Sequence, residues 1–279
     1  MGPIERMRIW GCTFPLGLPF VCADGKVTIK RILGNAMKIR NLISNIVCGF
    51  IPGKSRRDLI RVKIRYNTRA FVKFVCDYLG DKKLPIKTCV GYGCSNFIVL
   101  AGGCYAFKFP LNDDGAVRAL RELRITTALR KYTTFKIPQM EIIKWNNIAV
   151  RKYEFFPGVT LSEIPPRIAL ANRHHIARQI ALFIYQIGMA DPVSIRDLKP
   201  KKTAHPGFLY GWFHNDIWQN FILDPKTFDI IGFIDWEIAE FASFAYGLYM
   251  ADHHWDKFGY RGMVVDVMAE YAKLYYDNK

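Results

Sequence analysis

The sequence predicts an α+β protein with a small strand-rich part, a mainly helical part and a basic helical extension at its N-terminus. Three apolar runs in residues 84–110 are separated by glycine-containing stretches, as in a small antiparallel sheet. Apolar stretches long enough for helices follow at 169–189 and 250–276. Hydrophobic residues make up 51% of the 279 residues, which is enough to build a core.

The order of the elements comes from glycine punctuation and helical spacing. A glycine pair, Gly102-Gly103, joins "FIVLA" to "CYAFKFP", and both glycines can take positive φ in a tight hairpin. With "LPIKTCV" this predicts a three-stranded meander. The helix predicted next covers "DDGAVRALRELRITTALRKY", and the residues expected on its buried side are Val117, Leu120, Leu123 and Leu129. Further strands follow, most clearly over 148–155, and a Pro-Gly pair ends them.

The cysteines and the lengths of the apolar runs indicate a cytoplasmic protein. Seven cysteines are an odd number, none has C-x-x-C spacing, and no cleavable signal peptide is recognisable. We therefore expect reduced thiols. The weakly polar run over 42–51 is about half of the roughly 20 residues that a membrane-spanning helix needs, so no transmembrane span is predicted.

Positive charge is concentrated in the first quarter of the chain. Residues 1–80 hold 15 Lys and Arg against 4 Asp and Glu, a net charge of +11 out of +16. Residues 54–75 interleave basic and apolar side chains after a helix-breaking Pro-Gly pair, which predicts a basic helix from about Ser55. Three roles stay open for this segment: peripheral contact with an anionic membrane, nucleic-acid binding, or a solvated helix packed on the body. Of these partners, nucleic acid is the least expected.

A glycine loop and a lone lysine suggest phosphate contacts. Gly91 and Gly93 in "GYGCSN" let backbone N–H groups approach phosphate oxygens, and Ser95 adds a hydroxyl. Lys108 lies between two phenylalanines on a predicted inner strand, where desolvation calls for a partner, and Glu122 on the following helix is the candidate. The competing interpretation places Lys108 on an edge face and Glu122 in solvent.

The stretch "GWFHNDIWQNFILDPKTFDIIGFIDWEIAEF" carries the residue types that phosphoryl transfer requires. Transfer from ATP needs a carboxylate near the acceptor hydroxyl and oxygen ligands for magnesium, and Asp216, Asn220 and Asp235 are of those types. Asp235 follows the apolar run "IIGFI", where an ionised carboxylate needs a cation or hydrogen bonds. A structural Asp that caps a turn is the alternative.

These motifs resemble the aminoglycoside phosphotransferase and choline kinase family, distant relatives of protein kinases. The likeness rests on "HND", "NFILD" and "IDWE", with support from "GYGCSN", Lys108 and Glu122, and it covers residues 84–249. It implies a two-lobed protein-kinase-like fold, with a basic N-terminal extension over 1–80, an N-lobe over 81–158 and a C-lobe over 159–279.

The resemblance also implies roles for individual residues. Asp216 would be the catalytic base, while Asn220 and Asp235 would ligate Mg²⁺. Lys108, paired with Glu122, would hold the α- and β-phosphates of ATP, and the backbone of 153–158 would contact adenine.

Two departures from the family pattern bear on function. The step from Asp216 to Asn220 is four residues, where the family usually has five, and no second Asp follows "DWE". The leading hypothesis is a small-molecule kinase for a sugar, choline, ethanolamine or glycan hydroxyl, acting in bacterial surface polysaccharide synthesis. The alternative is a pseudokinase that serves as a nucleotide-sensing or protein- or membrane-binding module. A third is a nucleic-acid or membrane binder that works through residues 1–80.

Two further features have competing interpretations. "IRDLKP" imitates a protein-kinase catalytic loop around Asp197, but it lacks the required Asn, and Asp216 is the preferred base. Four tryptophans are interpreted mainly as core residues, with an aromatic cage for a quaternary amine as the alternative: Trp212, Trp218, Trp236 and Trp255.

Overall fold

The computed structural model describes residues 39–40, 42–44, 46–48, 54–90, 95–112, 114–200 and 207–278. The chain divides into two compact units. The first comprises Met1–Gly102 and Ala106–Asp113, and the second comprises Gly103–Tyr105 and Asp114–Lys279. The domain limits drawn from the sequence remain a prediction.

The first unit has two helices and a small antiparallel sheet. Helices α1 and α2 cover Lys54–Arg65 and Thr68–Leu79. The strands, in the order β1-β2-β3, are Ile86–Val90, Asn96–Ala101 and Tyr105–Pro110, the last beginning in the second unit. β1 pairs antiparallel with β2. The basic helix and the three-stranded meander predicted from the sequence are confirmed.

Helix α2 is amphipathic and packs its aromatic residues on the sheet. It begins after Asn67, whose Oδ1 accepts a hydrogen bond from the Ala70 N–H, and it ends at Gly80 with φ of 72°. Phe71 stacks on Phe109 of β3 with ring centroids 4.6 Å apart. The second half of the basic segment is therefore a helix packed on the body of the first unit, as one interpretation of its sequence predicted.

Glycine forms the turn between β2 and β3. Gly102 and Gly103 have φ of 61° and 68°, the left-handed region that side chains avoid. A Cβ on Gly102 would lie 2.8 Å from Leu84 Cδ1, a side-chain end that can move, so the backbone conformation is the main reason for glycine here. The hairpin prediction is confirmed.

The second unit contains helix α3, Gly115–Leu129, and the hairpin of β4, Met140–Trp145, and β5, Ile148–Glu154. A three-stranded sheet of β6, Val159–Thr160, β8, Phe221–Leu223, and β9, Ile230–Phe233, follows. A two-stranded sheet pairs β7, Tyr210–Phe213, with β10, Glu240–Ser243. The helices are α4, Pro166–Ala171, α5, Arg173–Gly188, α6, Ala245–Lys257, and α7, Met263–Asp277.

Two details of the helix predictions were wrong. Val117 and Leu120 of α3 are exposed, because the helix turns a different side to the core, with Ala119, Glu122 and Ile125 buried. The helix predicted over 169–189 is interrupted at Asn172, which ends α4 and precedes α5 with ψ of 11°.

The core of the second unit surrounds α5. Phe183 of α5 stacks on Phe233 at the end of β9, and α5 also packs against α7 and β7. This packing fixes the ends of β7 and β9, after which the polar motifs lie. No helix in the described part of the chain meets the length and apolarity needed to span a bilayer.

Gly211 should be intolerant of a side chain because β7 passes close to α5. A Cβ on Gly211 would lie 2.0 Å from the Gly188 carbonyl oxygen, and backbone cannot rotate away as a side chain can. We expect Gly211→Ala to lower the free energy of unfolding by at least about 1–3 kcal/mol, as overpacking does. Denaturant unfolding measures the loss.

Gly207 provides the matched control. A Cβ there meets no atom of the described residues within 4 Å, and its φ is not positive. Gly207→Ala should leave stability unchanged or slightly raised. Equal losses for the two variants would contradict the close approach of α5 and β7.

Candidate active site

The loop between β7 and β8 brings Asp216 and Asn220 together. Three turn residues, 217–219, reverse the chain, so the Asn220 side chain points back at Asp216. Asn220 Nδ2 donates to Asp216 Oδ2 and to the Asp216 carbonyl oxygen, each at 2.9 Å. Asn220 is buried and Asp216 is half-buried. The four-residue step thus holds the amide and the carboxylate in direct contact.

Backbone and imidazole hydrogen bonds connect this loop to the segment that carries Asp235. His214 Nε2 lies 2.8 Å from the Ile234 carbonyl oxygen, and since a carbonyl only accepts, this nitrogen carries the hydrogen. The Ile234 N–H donates to the Asn220 carbonyl oxygen at 2.9 Å. Both backbone groups of Ile234 therefore bind the Asp216 loop, which brings "HND" and "IDW" to one place.

Asp235 has a left-handed backbone, with φ of 61°. For a residue other than glycine this conformation costs roughly 1 kcal/mol or more and persists only where surrounding contacts impose it. The contacts lie on both sides, at Ile234 and at Trp236, whose N–H donates to Glu122 Oε1 at 3.2 Å. The backbone is thus held in a bend at Asp235.

Burial changes the acidity of Asp216. Loss of hydration raises the pKa of its carboxyl to about 6, and the nearby Asp235 carboxylate adds to the rise. Hydrogen bonds from Gln219, Asn220 and Trp218 act in the opposite direction and offset part of it. A carboxyl with this pKa is mostly ionised at neutral pH and accepts a proton more readily than an ordinary aspartate.

A buried ion network supports the Asp235 segment. Arg151 of β5 is fully buried, and its Nη1 lies 2.7 Å from Glu122 Oε2 and 3.3 Å from Glu237 Oε2. Arg118 joins the network at its rim, 3.6 Å from Glu237 Oε1. Glu122 therefore binds Arg151 with one oxygen and the Trp236 N–H with the other.

The charge of Arg151 is held by its neighbours. Burial lowers the pKa of the guanidinium, but the acidic groups of Tyr153, Glu122 and Glu237 outweigh that effect and place the pKa above its ordinary value. Arg151 was not among the residues predicted from the sequence. The feature that could have pointed to it is its charge inside the predicted strand 148–155. Arg151 directly follows Val150, and both residues are buried.

The predicted phosphate-binding residues lie in the first unit, apart from Glu122. Gly91 and Gly93 fall outside the described residues. Ser95 is half-buried, and its Oγ accepts a hydrogen bond from Asn96 Nδ2 at 3.0 Å. Lys108 lies in β3 with 5% of its surface exposed, and Glu122 has none exposed, so the edge-face and solvent alternative was wrong. Their pairing remains a prediction.

The lesser candidates have structural partners. Asp197 is exposed, and its Oδ2 accepts a hydrogen bond from Arg124 Nη1 at 2.9 Å. The four tryptophans proposed for a cage or a core are all buried, at 8% exposure or less, which confirms the core interpretation. Trp236 Nε1 and Trp255 Nε1 both donate to backbone carbonyl oxygens within the second unit.

The donor set suits a hard cation. Mg²⁺ binds carboxylate and amide oxygens and usually takes only one or two protein ligands beside phosphate and water. The Asn220 amide turns its nitrogen to Asp216, so Oδ1 is the atom left to ligate, and the bend at Asp235 brings that carboxylate near Asp216. Asn220 and Asp235 therefore suit the predicted metal role in their chemistry, and the role itself remains a prediction.

The raised pKa of Asp216 predicts a stability gain on neutralisation. The ordinary Asp value is 3.8 and the folded value is about 6, so the folded state holds more protons between those pH values. Stability contributed by protonated Asp216 is complete below pH 4 and is lost as pH rises through 6. The difference in free energy of unfolding between Asp216→Asn and the wild type should therefore favour the variant more at pH 8 than at pH 4. Denaturant unfolding of both proteins at both pH values measures this difference.

Asp197 is the matched control with the opposite sign. A hydrogen bond from Arg124 lowers the pKa of the Asp197 carboxyl, so its ionised form stabilises the fold. Asp197→Asn should show no gain at pH 8. A gain for both variants would indicate a general effect of removing negative charge instead of desolvation at Asp216.

Removing the Arg151 charge should destabilise the second unit strongly. Arg151→Met leaves the Glu122 and Glu237 carboxylates without their buried cation, and breaking such a pair costs about 3–5 kcal/mol. Lys152→Met is the matched control, because Lys152 is one residue further on β5 and pairs with Glu141 at the surface. That change should cost no more than about 1 kcal/mol.

The contrast is measured by chemical unfolding of both variants. Adding Glu122→Gln to Arg151→Met should recover part of the loss, because it removes one uncompensated charge. Equal losses for Arg151→Met and Lys152→Met would show that the buried network contributes nothing beyond a surface pair.

Comparison with known proteins finds similarity in structure alone. No family model matches the sequence, and no curated protein matches it. Among solved structures, an aminoglycoside 2′-phosphotransferase-IIIa in its GDP complex aligns with a TM-score of 0.59 and 18% identity, over 76% of this chain and 85% of that one.

Two other structures extend the comparison. A phosphotransferase of the APH(2″) type, solved with GDP and kanamycin, has a TM-score of 0.56 and 17% identity, over 75% of this chain and 84% of that one. A macrolide 2′-phosphotransferase from Brachybacterium faecium has a TM-score of 0.51 and 14% identity, over 73% and 83%. The chain therefore has the protein-kinase-like fold of the aminoglycoside and macrolide phosphotransferases, as the resemblance in its motifs predicted.

Proposed function

We propose that this chain is an ATP- and Mg²⁺-dependent phosphotransferase that acts on a hydroxyl group of a small molecule. The observation that carries the proposal is the convergence of Asp216, Asn220 and Asp235 on one loop pair, with the Asp216 pKa raised to about 6. The fold shared with small-molecule phosphotransferases supports the same class of reaction.

Asp216 acts as the base in the proposed reaction. The acceptor oxygen forms a bond to the γ-phosphorus, the bond from that phosphorus to the β-γ bridging oxygen breaks, and ADP leaves. Asp216 takes the hydroxyl proton, which suits a carboxylate of raised pKa. Asn220 positions this carboxylate through its hydrogen bond, and His214 connects the loop to Ile234 through its own.

Asn220 and Asp235 are proposed to hold magnesium, which when bound neutralises charge on the β- and γ-phosphates. Gly91, Gly93 and Ser95 are proposed to contact phosphate oxygens. Lys108 is proposed to bind the α- and β-phosphates with Glu122 as its partner. The backbone of 153–158 is proposed to contact the base of the nucleotide. GDP in related structures makes GTP a second donor to test.

The acceptor is proposed to be a sugar, an amino alcohol such as choline or ethanolamine, or a glycan component of the bacterial surface. Kanamycin in one similar structure and a macrolide substrate class in another add antibiotics to the acceptors worth testing. Because the four tryptophans are buried, choline recognition would have to use other groups than the proposed cage. Residues 54–75 are proposed to touch the anionic inner face of a membrane in the cytoplasm.

A catalytically impaired pseudokinase is the second candidate, and the four-residue step from Asp216 to Asn220 favours it. In this proposal the fold binds nucleotide without transfer and serves as a sensing or binding module. The same experiment separates the two.

Transfer from γ-labelled ATP or GTP with Mg²⁺ is the test, with sugars, amino alcohols, glycan fragments, aminoglycosides and macrolides as acceptors. We expect labelling of one acceptor class, lowered about 10² to 10⁴-fold by Asp216→Ala. Asp235→Ala should reduce labelling as well and raise the Mg²⁺ concentration needed for it. Asp197→Ala, at an exposed carboxylate paired with Arg124, should leave the rate unchanged.

Two results would contradict the kinase proposal. If nucleotide binds but no acceptor is labelled, the pseudokinase is favoured. If Asp197→Ala abolishes transfer and Asp216→Ala does not, the catalytic base has been assigned to the wrong loop.

A further inference from the structure

An exposed apolar surface lies next to α1 in the first unit. Residues 39–40, 42–44 and 46–48 are helical, and we call them the outer helical segment. Its large apolar side chains are 39% to 62% exposed: Ile39, Leu42, Ile43, Ile46 and Val47. They follow the spacing i, i+3, i+4, i+7, i+8, which places them on one side of a helix.

The opposite side of the segment faces α1 through small and polar residues. Ser44 and Cys48 are buried, at 0% and 2% exposure. Arg65 Nε donates to Ser44 Oγ at 3.1 Å, and Cys48 Sγ donates to the Arg57 carbonyl oxygen at 3.4 Å. The usual pattern of a surface helix is thereby reversed, because the apolar side points outward.

A basic cavity of about 720 Å³ lies in the same unit. Arg40, at the edge of the outer helical segment, lines it together with Lys63 of α1 and Arg69 of α2. Tyr66, Asn67 and Thr68 add polar groups, and its described lining holds no carboxylate. Within the described chain, Lys63 and Arg69 make no ion pair, so their charges are available to an anion.

Three apolar residues of the basic segment are buried inside the fold. Val62, Phe71 and Val75 are buried, at 2% exposure or less. The large apolar side chains that are exposed near this segment belong to the outer helical segment, which shares the cavity through Arg40.

The chemistry of this surface favours a bilayer over nucleic acid. Single-stranded nucleic acid is bound by aromatic rings on which bases stack, whereas the exposed residues here are Ile, Leu and Val. Aliphatic side chains beside cations are typical of interfacial helices on anionic membranes. The net charge of +11 in residues 1–80 is complementary to such a surface.

We propose that the first unit docks on an anionic bilayer through the outer helical segment, with a lipid phosphate bound in the basic cavity. The apolar side chains enter the interface, and Arg40, Lys63 and Arg69 meet the headgroup charge. This inference rests on the proposed membrane contact of residues 54–75 and is independent of the proposed catalysis.

Co-sedimentation of the full chain with vesicles tests the docking. One vesicle set contains phosphatidylcholine alone, and the other includes phosphatidylglycerol at about one lipid in three. We expect binding to the anionic set only, weakened by salt. Asp216→Ala should bind equally well, which separates a failure of docking from a failure of the proposed catalysis.

Paired substitutions test the two components. Leu42→Ser with Ile46→Ser should weaken vesicle binding about 10-fold or more, through loss of apolar burial. Lys63→Gln with Arg69→Gln should weaken it about 25-fold, at about 5-fold for each cation. The matched controls are Val193→Ser with Val265→Ser, at equally exposed apolar sites, and Lys82→Gln with Lys83→Gln, at exposed lysines. All variants are checked for an unchanged melting temperature.

Several results would overturn the inference. If the cation variants lose binding but the Leu42 and Ile46 variant does not, the contact through basic residues is supported. Docking through the outer helical segment is then contradicted. Displacement by millimolar inorganic phosphate alone would assign the cavity to a free phosphate. A change of oligomeric state in the Leu42 and Ile46 variants would indicate a second copy of the chain as the occupant. Stronger binding to single-stranded RNA than to vesicles would indicate a nucleic-acid partner.

Discussion

The buried charge of Arg151 is the constraint on which the candidate site depends. An isolated guanidinium without solvent exposure is expensive, so Glu122 and Glu237 must approach it, and they come from α3 and from the segment after β9. Glu122 also accepts the Trp236 N–H, next to the left-handed Asp235. Three parts of the sequence that are far apart are thereby fixed around one charge. The contact between Trp236 and Glu122 holds the bend at Asp235 on its C-terminal side.

At Asp216, the burial that makes the carboxylate more basic also lowers the stability of the fold. A half-buried carboxyl close to Asp235 is held at a pKa of about 6, which weakens the fold above that pH. The same desolvation keeps the carboxylate basic enough to accept a proton near neutrality. A structural aspartate that caps a turn would normally have a lowered pKa, as Asp197 does at the surface beside Arg124. The contrast between these two carboxyls within one unit supports a functional interpretation of Asp216.

Local patterns in the sequence predicted the meander, the Gly-Gly turn and the Asp216 and Asp235 motifs, because each depends on a few adjacent residues. The buried side of α3 was not predictable in the same way. Val117 and Leu120 have the right spacing, yet the helix buries Glu122, because Arg151 lies 29 positions further along the chain and requires a carboxylate. Pairing over such separations leaves no periodic signal. The break at Asn172 was missed because no Gly or Pro marks it in the sequence.

The short step from Asp216 to Asn220 has a specific structural consequence. Across this step the Asn220 side-chain nitrogen donates to both the carboxylate and the carbonyl oxygen of Asp216, so its side-chain oxygen faces elsewhere. Because the Asn220 carbonyl also accepts the Ile234 N–H, any movement of Asn220 toward a cation would displace the strand end that precedes Asp235. The two oxygen donors proposed for magnesium are therefore mechanically coupled, and the geometry of one sets that of the other.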